Sequence, residues 1–332
     1  MLSPVFSKPG DGWATYTPLA LVLIWLALSG SYNAWQMGPL LAMNAFIGLG
    51  LLAGVVWRFR PKPLTAPLLA YWLVLAISTG LYHPAGWPRV FYLLVLVAVY
   101  HIPQRSAPSG QRSAVWAGWL VFPLAVLLPW ENSNSMAFLA WGLLWLGAEA
   151  GGLVWLGLGL LAVVASGSVG GLLAMLLGGA GYAWSKWRPD RLTTVSGLLV
   201  LAVLVFVLLA GQANDSGSWD NRLLIYQHAG RGIVAAPLLG HGADAYRLVV
   251  GTWSALDEHN LALTILHETG LAGAVVAAWG LVWLVKRHEF APWQVGFLTC
   301  FAGHSMVDGP LFASFFSGVV LMLVLGGLET TK

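Results

Sequence analysis

The stretch that decides the fold runs from Asp220 to Gly273 and reads DNRLLIYQHAGRGIVAAPLLGHGADAYRLVVGTWSALDEHNLALTILHETGLAG. It begins in the one long polar segment of the sequence. It ends with Asp257-Glu258-His259-Asn260 at the start of an apolar run. The remainder of the chain is hydrophobic, so we expect a scaffold that holds this stretch at a membrane surface.

The composition of the chain indicates a membrane protein. Of its 332 residues, 58% are hydrophobic and 9% are charged, whereas about a quarter of the residues of an average soluble domain are charged. The 19 tryptophans agree with this class, because indole rings favour the membrane–water interface. A single cysteine, Cys300, excludes an internal disulfide and a Cys-rich metal site. The chain has no basic cluster or nucleic-acid motif, so we expect membrane lipid and no nucleic acid among its partners.

The apolar runs predict about twelve membrane-spanning helices, since a span needs about 20 mostly apolar residues. We therefore predict an all-α polytopic protein with transmembrane helices 1–9 in residues 1–211, helices 10–12 in residues 259–332, and one large outer loop with an amphipathic helix, residues 212–258, between helices 9 and 10. The candidate spans lie near residues 18–33, 37–57, 64–82, 88–103, 114–130, 136–149, 152–167, 169–185, 193–211, 259–285, 291–307 and 310–328.

The basic residues predict the orientation of these helices. Twelve of the 16 lysines and arginines fall on one side, and four fall on the other: Arg89, Arg222, Arg231 and Arg247. Because the cytoplasmic loops carry the excess, we expect both termini in the cytoplasm and the large loop on the periplasmic side of a bacterial inner membrane. The apolar run after Lys8 also resembles a signal peptide, but an uncleaved first helix fits this orientation better.

The outer loop has a predicted helix over residues 222–235, which Pro237 ends. Gly240-His241-Gly242 then predicts a tight turn. Arg222 and Arg231 are nine residues apart and would point to opposite faces of the helix. The loop 212–258 holds three arginines and five acidic residues, so any anion that it binds must contact individual arginines.

His259 is the candidate general base, because an imidazole changes its charge near neutral pH. We place it in the first turn of the tenth helix, with Asp257 as the N-cap. An interfacial histidine that only forms hydrogen bonds fits the same position. Glu268 would lie deeper in the membrane, where an ionisable group is functional or paired. We interpret it as a structural anchor, with His304 and Asp308 as candidate partners.

An ordered set of motifs in this stretch resembles the O-antigen ligase and O-antigen polymerase superfamily, which includes bacterial protein O-oligosaccharyltransferases. The weaker parts of the resemblance are Asn134 and Asp308-Gly309-Pro310. The stronger parts cover about 55 residues and follow the order of the family: Arg222 with Tyr226, Pro237-Leu238-Leu239-Gly240-His241-Gly242, His259-Asn260 and Glu268-Thr269-Gly270-Leu271-Ala272-Gly273.

The resemblance implies a glycosyltransferase of O-antigen ligase type that needs no metal or other cofactor. Its donor would be a glycan linked to undecaprenyl diphosphate, and its acceptor a hydroxyl of a glycan, of lipid A-core or of a protein. His259 would act as the base or would orient the acceptor hydroxyl, and Arg222 would bind the diphosphate. The second phosphate ligand would be Arg247, Arg231 or Arg89, with Asn260 and Tyr226 as further candidate contacts to the donor. From the residues themselves, we expect Glu268, Asp257, Gly240 and Gly242 to give structural support.

One position departs from the family pattern. The family often has Ser-Arg-Gly at the outer start of the eighth helix, whereas this chain has Ser168-Val169-Gly170. A second arginine must then replace the one missing at Val169.

An O-antigen polymerase or a protein O-oligosaccharyltransferase remains an alternative to the ligase, because all three share the motif. From another class, a transporter or lipid flippase also has many helices, although the paired halves common in transporters are not visible here.

Overall fold

The computed structural model describes Lys62 and residues 64–101, Val163, 168–187, 218–250, 253–255, 258–287, 290–306, Leu321, Met322 and Leu325. These residues are mostly helical. They form six α-helices, one short 3-10 helix at Pro84–Gly86 and one pair of strands. The helices are α1 (Thr65–Tyr82), α2 (Trp87–Tyr100), α3 (Val169–Trp187), α4 (Ser218–Ala235), α5 (Leu261–Arg287) and α6 (Pro292–Ser305), and the strands are β1 (Leu248–Val250) and β2 (Trp253–Ala255).

Two of these helices, α1 and α5, are long and apolar enough to cross a membrane. Both expose apolar side chains along their length, which lipid tails suit and water does not. On α1 these are Leu69, Leu73, Ile77 and Leu81, and on α5 they are Leu271, Val275, Leu281, Val282 and Val285. The exposed apolar faces separate α1 and α5 from the core helices of a soluble protein, whose apolar residues are buried.

Five predicted spans coincide with helices of the structure, namely α1, α2, α3, α5 and α6. Helix α4 contains the range 222–235 that was predicted as helical in the outer loop. The remaining predicted spans fall wholly or almost wholly outside the described residues. A total of twelve spans, their orientation and the positions of the termini therefore stay predictions.

The segment 212–258 contains a β-hairpin that the all-α prediction missed. Strands β1 and β2 are antiparallel, and Leu248 pairs with Ala255, Val249 with Ser254 and Val250 with Trp253. The sequence between the strands is Gly251-Thr252, and a two-residue connection that begins with glycine is common in hairpins. Each strand has only three residues, and so short a run cannot be distinguished from a loop by periodicity alone.

Close contact between α3 and α6 depends on small residues. A Cβ on Gly303 of α6 would lie 2.5 Å from Cδ1 of Leu177, and one on Gly181 of α3 would lie 2.3 Å from Oγ1 of Thr299. Small residues at such points allow membrane helices to approach. Cys300, on the same helix as Gly303, is buried and belongs to the apolar core that these helices share with α1 and α2.

Candidate active site

Helix α5 is broken at Gly270, whose backbone angles (φ 60°, ψ −159°) are not helical. In a continuous helix, the amides of residues 271–272 would donate to the carbonyls of residues 267–268, four positions earlier. The break removes both bonds and leaves two donors and two acceptors to be bound by other groups. Buried backbone groups without partners are costly, so a second segment of the chain must supply the partners.

The turn Pro237–Gly242 supplies all four partners. Its carbonyls accept the two amides and its own amides donate to the two carbonyls. The hydrogen bonds, amide donor first, run from Leu271 to Pro237 (2.8 Å), from Ala272 to Leu238 (3.1 Å), from His241 to His267 (2.8 Å) and from Gly242 to Glu268 (3.0 Å). The Pro-x-x-Gly-x-Gly and Glu-x-Gly motifs therefore form one structural unit, in which each segment completes the backbone hydrogen bonding of the other.

Gly240 and Gly270 allow these two segments to touch. Their φ angles of +69° and +60° lie in the left-handed region that favours glycine. A Cβ on Gly240 would lie 2.4 Å from the carbonyl carbon of Glu268, and one on Gly270 would lie 2.5 Å from that of Leu238. Both distances are far below ordinary contact, so a side chain at either position would separate the turn from the helix.

Arg89, near the start of α2, binds this unit through two carboxylates. Its guanidinium group lies 2.5 Å from the carboxylate of Asp244 and also pairs with the carboxylate of Glu268. Arg89 and Glu268 are almost fully buried. The amide of Asp244 donates to Glu268 Oε1 at 2.9 Å, and Oγ of Ser78 on α1 donates to the Glu268 carbonyl at 2.9 Å. Glu268 therefore joins α5 to α1, α2 and the segment at Asp244.

These contacts correct two expectations from the sequence. Arg89 was a candidate ligand of the diphosphate, but its guanidinium group is buried between two carboxylates of the protein. Glu268 was expected to pair with His304 or Asp308, and its partner is Arg89 instead. His304 is buried in α6, and Asp308 lies outside the described residues. The sequence contained a signal for the correct pair, since ionisable residues of opposite sign within membrane segments commonly bind each other.

His259 precedes α5 and does not lie in its first turn. Its φ angle of 47° is left-handed, and the helix begins two residues later at Leu261. The N-cap is Asn260, whose Oδ1 accepts the amides of Ala262 (3.0 Å) and Leu263 (3.1 Å). A cap oxygen must stand immediately before the first helical residue to reach those amides. Asp257, the predicted cap, is too far upstream for this role and lies outside the described residues.

Both neighbours of His259 are held by other parts of the protein, while its own side chain is half-buried. Asn260 Nδ2 donates to the carbonyl of Met306, just after α6, at 2.9 Å. Glu258 is completely buried. Its Oε2 accepts the hydroxyl of Thr264 at 2.9 Å, and its Oε1 lies 3.1 Å from Nδ1 of His267. The backbone of the 258–260 turn is thus fixed on both sides of the imidazole.

Helix α4 carries Arg222 and packs against the hairpin and α5. Arg222 is half-buried, whereas Arg231, on the same helix, and Arg247, just before β1, are exposed. Tyr226, one turn after Arg222, packs against an apolar cluster. The cluster consists of Ile225, Ala229, Tyr246 and Ala255, with Leu248 and Leu263 at its edge. It brings the Arg222 helix against the start of α5, which follows His259.

A row of four rings continues this contact between α4 and α5. The ring of Tyr246 meets His228 edge-on at 5.2 Å and His267 at 5.4 Å between centroids. The His267 ring lies 4.8 Å from that of His241, and His241 Nε2 is 2.9 Å from the carbonyl of Gly232. A Cβ on Gly232 would lie 2.6 Å from the His267 ring. Helix α4 therefore rests directly on His267.

The position where the family pattern has arginine is the first residue of α3, Val169. Ser168 caps this helix, since its Oγ accepts the amide of Gly171 at 2.9 Å. Val169 has no charge for a phosphate. Among the candidate arginines, Arg89 is paired inside the protein, and Arg247 and Arg231 are exposed.

Residues 153–278 match the family model described as O-antigen ligase. The matched segment includes Arg222, the 237–242 turn, His259 and the break at Gly270. It resembles the O-antigen ligase superfamily, as its motifs predicted. None of the curated proteins matches the chain. The family implies glycosyl transfer with polysaccharide or lipid-linked glycan substrates. Together with the apolar helices α1 and α5, it indicates a membrane protein.

Proposed function

We propose that the protein transfers a glycan from undecaprenyl diphosphate to an acceptor hydroxyl at the outer face of the inner membrane, as a ligase of O-antigen type. One observation carries the proposal. The segment that matches the O-antigen ligase family contains the interlocked turn and helix break, and the same unit carries His259 at one end and the Arg222 helix on its side.

In the proposed reaction, His259 accepts the proton of the acceptor hydroxyl while the hydroxyl oxygen attacks the anomeric carbon of the donor sugar. A new glycosidic C–O bond forms as the bond between that carbon and the diphosphate oxygen breaks. The bonding electrons leave with undecaprenyl diphosphate. His259 then releases its proton to water. An imidazole suits this role because it gains and loses a proton near neutral pH.

Arg222 stabilises the negative charge on the departing diphosphate. A guanidinium group binds phosphate oxygens through two parallel hydrogen bonds, which are stronger than those between neutral groups. Half-burial of Arg222 favours this role, because a charge contact is weaker where water screens it fully. The second phosphate contact is assigned to Arg247, since Arg89 already has two carboxylate partners and Arg231 lies on the opposite side of α4 from Arg222.

The test measures glycan transfer by the purified full-length protein. The protein is added to membranes of a strain that lacks its gene, because those membranes contain both the donor and the acceptor. We expect His259→Ala to lower the rate by about 100-fold or more, and Arg222→Ala to lower it by a similar factor. His83→Ala, which removes another half-buried imidazole, is the control and should retain the wild-type rate. Wild-type rates for both His259→Ala and Arg222→Ala would contradict the proposal.

The acceptor is identified by the glycans that accumulate when the gene is deleted. A ligase leaves full-length glycan on the lipid carrier, and a polymerase leaves single repeat units. Loss of sugar from a protein alone identifies a protein transferase. A transporter or flippase would move the lipid-linked glycan across liposomes without forming a covalent product, and that result would exclude all three transferases.

A further inference from the structure

We propose that Glu258 and His267 are positioning residues, which set the distance between the His259 turn and the Arg222 helix by holding α4 against the start of α5. Gly232 is the point on α4 where this contact is made. The inference rests on the proposed function, because it assumes that His259 and Arg222 act on the same donor. It adds two side chains and one glycine to the residues on which the reaction depends.

Glu258 fixes the turn that carries His259. Glu258 is directly before His259, and its carboxylate is completely buried. Burial of a carboxylate is costly unless its oxygens are bound. One oxygen accepts the Thr264 hydroxyl at 2.9 Å. The other lies within ion-pair distance of Nδ1 of His267, at 3.1 Å, but without hydrogen-bond geometry. Thr264 and His267 lie in the first two turns of α5, so the Glu258 side chain ties the backbone at His259 to that helix.

His267 fixes the position of α4. His267 presents its ring to the backbone of Gly232, where no side chain intervenes. A Cβ at that position would lie 2.6 Å from both Cδ2 and Nε2 of the ring. Tyr246, edge-on against the same ring, donates its hydroxyl to the carbonyl of Ile225 at 3.1 Å. Ile225 is three residues after Arg222 and therefore about one helical turn away.

The contacts thus lead from His259 through Glu258 and His267 to the helix of Arg222. A base and a leaving-group ligand that act together must be held in a fixed relation, and a displacement of about 1 Å can cost about 100-fold in rate. Insertion of a methyl group at Gly232 forces a displacement of this size, because the 2.6 Å distance must open to ordinary contact. The position of α4 relative to the His259 turn should therefore change even with the smallest substitution, Gly232→Ala.

The chain contains a matched pair of glycines for the test. Gly232 and Gly230 lie two residues apart on α4, and a Cβ on Gly230 would have nothing within 4 Å. Both changes to alanine raise the helix propensity of α4 to the same extent. With the same membranes as donor and acceptor source, we expect Gly232→Ala to lower kcat at least about tenfold and Gly230→Ala to retain the wild-type value. Equal rates for the two variants would overturn the inference.

A double-mutant cycle separates positioning from general damage to the fold. We expect Glu258→Ala to lower kcat about tenfold or more, and Glu258→Gln to restore most of the rate because its amide oxygen still accepts the Thr264 hydroxyl. If Glu258 acts through His259, then Glu258→Ala adds no further loss in a His259→Ala background. A further loss of the same size would overturn the inference. A wild-type rate for His259→Ala alone would instead overturn the proposed function, so the two failures are distinguishable.

Discussion

Two neighbouring regions of the protein use their charged residues in opposite ways. In the docked turn, formed by residues 237–244, the break in α5 and Arg89, the charged side chains bind each other, and those of Arg89 and Glu268 are almost fully buried. In the open strip, formed by Arg222, Arg247 and His259, the side chains are half-buried or exposed. Substitutions in the docked turn should therefore change stability, and substitutions in the open strip should change activity.

The comparison also divides the family motif into two parts. Its glycines and its glutamate lie in the docked turn, where the backbones of the turn and of α5 touch at Gly240 and Gly270. Its histidine and its arginine lie in the open strip. Glycines and a buried acid form the contact between the turn and α5, and His259 and Arg222 lie on the segments next to this contact.

The largest expected effect on stability is that of Arg89→Ala. Removal of the Arg89 guanidinium group leaves the carboxylates of Asp244 and Glu268 close together without a cation. Breaking a buried ion pair costs about 3–5 kcal/mol. We expect a large fall in the thermal midpoint of the detergent-purified protein, followed by tryptophan fluorescence. Glu268→Gln in the Arg89→Ala background should recover part of the loss, because it removes one of the two charges. An unchanged thermal midpoint for Arg89→Ala would show that the ion pairs of Arg89 with Asp244 and Glu268 do not stabilise the fold.

A smaller loss of stability is expected for Gly240→Ala. The left-handed φ of +69° costs a non-glycine residue about 1–3 kcal/mol, and the added Cβ meets the backbone of Glu268. The control is Gly230→Ala, in the open helical part of α4, which should not lower the midpoint. The same midpoint for both alanine variants would contradict the close contact between the turn and α5.

Much of the helical architecture was predictable from the sequence, because it follows from apolar runs and local signals. The helices α1, α2, α3, α5 and α6 follow from runs of apolar residues, and Pro237 correctly marked the end of α4. The β-hairpin was missed because each strand has only three residues. The N-cap was misplaced because both Asp257 and Asn260 are good capping residues, and the sequence does not show where the first helical bond forms.

The contacts around the candidate site could not be predicted from the sequence. Motif order selected His259 and Arg222, but it did not reveal that Arg89, 179 residues before Glu268, would bind that acid. Nor did it reveal that Glu258 would be buried while His259 beside it stays half-buried. Long-range pairing depends on how the helices pack, and one sequence contains no direct record of that packing.

Asn260 lies at the border between the two regions and gives a test of intermediate size. Asn260→Ala removes the cap of α5, which costs about 1 kcal/mol, and also the bond to the Met306 carbonyl. Asn260→Asp keeps the capping oxygen and loses only that bond. We expect the alanine variant to unfold at a lower temperature than the aspartate variant. The reverse order would show that the contact with Met306 matters more than the cap.

The smallest effect on stability is expected for Arg247→Ala in the open strip. Arg247 is exposed, and surface substitutions of this kind change stability by less than about 0.5 kcal/mol. We expect Arg247→Ala to change KM for the donor instead. Loss of one charge-assisted hydrogen bond to the diphosphate should raise KM for the lipid-linked donor about tenfold, and Arg247→Lys should recover part of the affinity because it keeps the charge. Arg231→Ala, equally exposed but opposite Arg222 on α4, should leave both the midpoint and KM unchanged. An unchanged KM for Arg247→Ala would mean that Arg222 binds the diphosphate without the help of Arg247, and a lowered midpoint would mean that Arg247 belongs to the docked turn after all.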